Sequence, residues 1–143
     1  VPTLYPNDYL IMNRLAYKNK PVEYLDVVVF HSKLSLDGES SKKKKDLVKR
    51  VIGLPGDIIE VKDGMVYRNG EELNEPYIND GITDRDIMVV VPQNQYFVMG
   101  DNRLNSSDSR DDRVGMISKE NIIGKVTLRL FPFSKITTDF LPE

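Results

Sequence analysis

Two dipeptides constrain this chain more than any other feature. Asp63-Gly64 and Asn69-Gly70 each interrupt short runs in which apolar and polar residues alternate. Asp-Gly and Asn-Gly suit the two-residue hairpin turn with positive φ at both central residues, because that turn matches the twist of paired strands. Ile58-Ile59-Glu60-Val61, Met65-Val66-Tyr67-Arg68 and Glu72-Leu73 therefore read as consecutive antiparallel strands. A period of two governs much of the remaining chain. Asp26 to His31 reads as a buried, β-branched strand. Leu47 to Ile52 reads as another, stopped by Gly53-Leu54-Pro55-Gly56, and Gln95 to Met99 and Val126 to Phe131 supply two more. The one helical signal is a turn at Ser118-Lys119-Glu120-Asn121, with Ser118 placed to cap it. Leu34 to Lys45 reads as a hairpin tip, and Asn74 to Asp86 as a surface loop. The expected fold class is mainly β: a core of antiparallel strands, a small extended β lobe and few helices.

Length and charge narrow the function. At 143 residues and 40% apolar, the chain can bury the core of a single domain. A net charge of -2 speaks against a nucleic-acid partner, and the run Lys42-Lys43-Lys44-Lys45 is local. It reads as a solvated tip, with attraction to an anionic membrane surface as the functional alternative. The chain has no cysteine, which excludes a disulfide framework and a thiol nucleophile, and one histidine, His31, which leaves little for metal binding. No run approaches the roughly 20 apolar residues that span a bilayer.

Two places can carry chemistry. Lys49 sits in an apolar strand beside Arg50, and successive strand side chains point to opposite faces. One cation can then face a site while the other meets a structural partner. A lysine acts as a general base only when uncharged. Its pKa must fall from about 10.4 toward about 8, which apolar burial can achieve and solvent exposure cannot. The second place is the loop Met99 to Arg110, which gathers Ser106, Ser107, Ser109, Asp101, Asp108, Arg103 and Arg110. Composition alone makes it a solvated loop able to lock itself with Asp–Arg pairs, and makes Lys49 a strand-edge lysine with its amine in water. A complete Ser–Lys pair between Lys49 and one of the loop serines is a further possibility.

Taken together, these segments resemble the bacterial type I signal peptidases. Lys49-Arg50-Val51-Ile52-Gly53-Leu54-Pro55-Gly56-Asp57 is similar to the family's lysine-bearing box. Gly100-Asp101-Asn102-Arg103 followed by Ser106, Asp108, Ser109 and Arg110 is similar to its last box. Val1-Pro2-Thr3-Leu4 looks like the tail of its Ser-Met-x-Pro-Thr-Leu box, and Tyr67-Arg68-Asn69-Gly70 and Glu75-Pro76-Tyr77 also fit. The boxes run in family order along the whole chain.

The resemblance implies a signal-peptidase-like β core (about 1–62 and 87–143) with a small lobe at about 63–86, and the short lobe looks like Gram-positive members. It implies a serine endopeptidase of the Ser–Lys dyad type that removes signal peptides from exported preproteins, selecting small residues at −1 and −3 and needing no cofactor or metal. Lys49 matches the general base and Ser106 the residue that orients it; Arg50, Asp101, Asp108 and Arg110 match structural supports; Pro2, Leu4, Leu47 and Val48 match substrate-lining positions. The nucleophilic serine would lie two positions before Val1, with a further oxyanion-hole serine upstream of it, so the chain as given is expected to bind and not cleave. The parent is expected to be anchored once in the bacterial cytoplasmic membrane with this soluble part outside. Leu47 stands where some members carry tyrosine, and Glu23-Tyr24-Leu25-Asp26 replaces a usual Gly-Asp. Three alternatives stay open: a Ser–Lys hydrolase of the self-cleaving repressor type, a homologue that never carried a nucleophile, and a structural β domain with an ordinary Lys49.

Overall fold

A computed structural model describes residues 9–35, 44–76, 78, 86–101, 103, 108–111, 114–130 and 136–137. Eleven strands are described: β1 (Tyr9–Asn13), β2 (Val27–Ser35), β3 (Lys44–Gly53), β4 (Ile58–Lys62), β5 (Met65–Arg68), β6 (Glu71–Glu72), β7 (Ile87–Val90), β8 (Gln95–Met99), β9 (Ile117–Ser118), β10 (Ile122–Leu130) and β11 (Ile136–Thr137). They form two antiparallel sheets. The larger runs β1-β10-β2-β3-β8-β9, with β11 also on β10; the smaller runs β6-β5-β4-β7.

The β-branched run of β2 and the mixed run of β3 pair as a hairpin, from Val27 opposite Arg50 to Ser35 opposite Lys44. Lys44 and Lys45 thus belong to a paired strand, while most of the expected tip, residues 36–43, lies outside the described residues. His31 Nδ1 and Asp46 Oδ1 lie 2.7 Å apart across this hairpin, both exposed, which gives the histidine a surface partner. In the smaller sheet the two signal dipeptides form the turns expected of them, with φ of 53° and 83° at Asp63 and Gly64 and of 53° and 85° at Asn69 and Gly70.

Between the sheets the chain turns at Leu54–Asp57. The Asp57 N–H donates to the Leu54 carbonyl at 2.9 Å, and the Leu54 N–H donates to Asp57 Oδ2 at 2.9 Å. The same carboxylate accepts from Arg68 Nε at 2.7 Å, so the turn is tied to β5. Gly53 just before it has no room for a side chain: a Cβ would come within 2.9 Å of Ile59 and 3.0 Å of Phe97 and Val91. Here the core of the larger sheet meets that of the smaller one. Ile52, Phe97 and Met99 from β3 and β8 pack with Ile59, Val61 and Val66 from β4 and β5.

The structure departs from the sequence reading elsewhere as well. β1 and β7 were not signalled, because Tyr9–Asn13 and Ile87–Val90 are apolar runs without a clear period. The smaller sheet spans residues 58–90, because β4 pairs with β7 as well as with β5. Ser118 does precede a 3-10 turn, Lys119–Asn121, but its side chain makes no capping bond. The segment after β6 is not all surface loop, since Glu75 is nearly buried.

Candidate active site

Register fixes which way the two neighbouring cations point. Lys49 lies opposite Val28 and Leu47 opposite Phe30, so all four share one face of the larger sheet. Val28 and Phe30 are fully buried there with Val51, Val98, Val114 and Ile117, and Leu47 packs on them. Arg50 lies opposite Val27 and Val48 opposite Val29, on the other face, where Val48 packs with Val27 and Val126. Leu47 and Val48 therefore lie on opposite faces, and Leu47 is the one beside Lys49.

Lys49 is half-buried, and its amine titrates below the ordinary lysine value. Loss of water on burial is the main cause; Asp108 and Asp101 pull the other way by favouring the charged form, and Arg110 helps to lower it. Burial wins because a carboxylate already engaged by an arginine has little field left to stabilise a second cation.

The acids that face Lys49 are engaged in that way. Arg50, with its side chain fully buried, donates from Nε and Nη2 to the Asp101 carboxylate at 3.1 and 2.9 Å, and from Nη1 to the Leu25 carbonyl at 3.3 Å. Leu25 holds a φ of 74°, a conformation that favours glycine, at the position where the resemblance expected Gly-Asp. Asp108 is fully buried and accepts from Arg110 Nε and Nη2, both at 2.9 Å, and from the Gly100 N–H at 2.9 Å. Ser109 is stitched to β8: its hydroxyl accepts from the Val98 N–H at 2.9 Å, and its N–H donates to the Val98 carbonyl at 3.0 Å.

Lys49, Arg50, Asp101, Asp108 and Arg110 are thus brought together. Ser106, Pro2 and Leu4 lie outside the described residues. Among the described residues no three histidine or carboxylate side chains gather as a metal ion would require.

Residues 1–131 match the family model for signal peptidase, peptidase S26. The chain belongs to the signal peptidase family. It is 38% identical to signal peptidase I of Bacillus caldolyticus over 98% of this chain and 79% of that one. It is also 38% identical to signal peptidase IB of Staphylococcus aureus, over 99% of this chain and 78% of the other. A crystal structure of a signal peptidase I from Enterococcus faecalis superposes with a TM-score of 0.61 at 29% identity, covering 76% of this chain and 98% of that one. The mostly antiparallel β architecture is that of a signal peptidase I.

The sequence reading of this signal peptidase site missed one pair, Arg103 with Glu75. Both lie in segments quoted for the resemblance, yet neither was given a role. A charge count held only part of the signal: the two boxes supply Arg50, Arg103 and Arg110 with Lys49 against Asp57, Asp101 and Asp108, and Asp57 is taken by Arg68 of the smaller sheet. A third buried guanidinium needs a third carboxylate.

Proposed function

We propose that Lys49 is the general base of a Ser–Lys dyad. The activity is the family's own, removal of signal peptides from exported preproteins by a serine endopeptidase. The observation that carries the reading is the half-buried amine, held below its ordinary titration range among acids that arginines already neutralise. An uncharged amine takes the proton of the attacking hydroxyl, returns it to the leaving amine, and then activates water against the acyl-enzyme. The hydroxyl is that of the serine the family motif sets two positions ahead of Val1, and Ser106 orients the lysine. Backbone N–H groups beside the nucleophile stabilise the oxyanion.

The substrate lies extended along β3. Among the described residues, β8 joins β3 only from Arg50 onward, so Asp46 to Lys49 have a strand partner on the β2 side alone. Adding a strand on the open side gives affinity through the main chain. Small residues at −1 and −3, which point to one face of an extended chain, are selected on the face that Leu47 shares with Lys49, together with Pro2 and Leu4 as the family motif matches them. The family is membrane-associated, and no helix among the described residues is long and apolar enough to cross a bilayer. A single membrane anchor ahead of the catalytic part presents it on the extracytoplasmic side.

The test is cleavage of an Ala-x-Ala peptide by the chain with Ser-Met and an anchoring segment placed ahead of Val1. Lys49→Ala is expected to lower kcat by about 1,000-fold or more. Cleavage that survives this change removes Lys49 from the mechanism.

A further inference from the structure

Arg103 has a fully buried side chain whose charge is met from a distant part of the chain. Its Nη1 and Nη2 donate to the two oxygens of Glu75 at 2.9 and 2.6 Å, and its Nε donates to the Gly100 carbonyl at 2.8 Å. Glu75 follows β6 of the smaller sheet, and its own side chain is 7% exposed. Around Gly100 the bonds close into a ring. The Gly100 N–H is held by Asp108, Asp108 by Arg110, the carbonyl of Arg103 by Arg110 Nη2 at 2.7 Å, and the Gly100 carbonyl by Arg103. Glu75 is the carboxylate that enters this ring from outside the segment running from Gly100 to Arg110.

We propose that Glu75 is a positioning residue for the catalytic lysine, clamping Arg103 so that Asp101, Asp108 and Arg110 are held against Lys49. This rests on the reading of Lys49 as the base. The physical argument is the cost of a buried guanidinium without a counter-charge. Without Glu75, Arg103 turns toward water and releases the Gly100 carbonyl. The Gly100 N–H and the Arg103 carbonyl, which anchor the Asp108–Arg110 pair, are then no longer fixed by the Arg103 side chain, and water reaches the amine of Lys49. The smaller sheet, which contributes no reacting group, thereby becomes part of the catalytic apparatus.

Two readouts separate positioning from mere stability. In the chain itself, Lys49 is titrated by following its side-chain resonances by NMR. In the Ser-Met-extended, anchored protein, kcat and KM are measured against pH with an Ala-x-Ala peptide. Glu75→Gln is expected to raise the Lys49 midpoint and move the acidic limb of kcat to higher pH by about one unit. At neutral pH that is about a tenfold loss in kcat with little change in KM. Glu75→Asp keeps the charge and is expected to recover part of the loss.

Should Glu75→Gln fail to fold, the double variant Glu75→Leu with Arg103→Met removes both charges together and is expected to fold yet titrate Lys49 high. A folded variant of either kind with the parent's Lys49 midpoint and kcat profile, and only a lower Tm, overturns the inference. Full cleavage by Lys49→Ala sinks the reading of the base and this inference with it. A Lys49-dependent enzyme indifferent to Glu75 sinks this inference alone.

Discussion

Lys49 and Arg50 are adjacent in the chain and leave β3 on opposite faces, so one strand holds two cations in opposed environments. Arg50 makes a two-point bond to Asp101, and loss of water on burial lowers the pKa of Lys49. The two depend on each other, since Asp101 engaged by Arg50 is a weaker attraction for the Lys49 ammonium.

Breaking the Arg50–Asp101 pair from one side is expected to be costly. Asp101→Asn leaves a buried guanidinium facing a neutral amide, a loss of about 3 kcal/mol that urea denaturation would measure. Arg50→Lys is expected to lose most of the pair as well, because an ammonium cannot span both carboxylate oxygens and the Leu25 carbonyl at once. A loss below about 0.5 kcal/mol for Asp101→Asn would mean that the pair is not shielded from water as described.

The lowered titration of Lys49 makes stability depend on pH with a definite sign. The unfolded chain, with the ordinary value of 10.5, binds a proton more readily than the folded one. Burial of the amine therefore costs most below the folded pKa, and the cost is relieved as pH rises from there through 10.5. Lys49→Met is expected to be more stable than the parent at neutral pH, with the advantage shrinking in alkaline solution. Denaturation midpoints across pH 6 to about 10 would check this; an advantage that grew with pH would contradict it.

Asp57 behaves in the opposite sense. Burial alone would raise its pKa, but bonds from the Leu54 N–H, Asn69 and Arg68 outweigh it and hold the carboxyl below the usual range. Its contribution to stability is present above the unfolded value of 3.8 and is lost as pH falls through the folded one. Asp57→Asn is expected to cost about 2 kcal/mol at neutral pH and progressively less in acid. A cost independent of pH would place the effect in packing and not in charge.

Two glycines test two different reasons for lacking a side chain. At Gly70, with φ of 85°, a Cβ would meet nothing within 4 Å, so Gly70→Ala pays only backbone strain, about 1 kcal/mol. At Gly53 the side chain would press on Ile59, Phe97 and Val91, and Gly53→Ala is expected to cost about 3 kcal/mol through overpacking. Thermal or urea denaturation giving the reverse order would show that the junction of the two sheets can yield.

Much of the site was legible because its grammar is local. Side-chain alternation sends Lys49 and Arg50 apart in any strand, and Asp63-Gly64 and Asn69-Gly70 make the same turn wherever paired strands flank them. The glycine-favouring backbone at Leu25 fell where the family resemblance had flagged a departure. Less legible were β1 and β7, whose apolar runs acquire meaning only beside β10 and β4.

The amino-acid order by itself determined the period, the turns, the opposed faces of Lys49 and Arg50 and the family, since each follows from sterics or motifs within a few residues. Only the tertiary structure decided that Glu75 meets Arg103 across 28 positions, and how much water the Lys49 amine loses. Ion pairing and desolvation depend on which distant segments close over a group, and spacing along one strand does not carry that information.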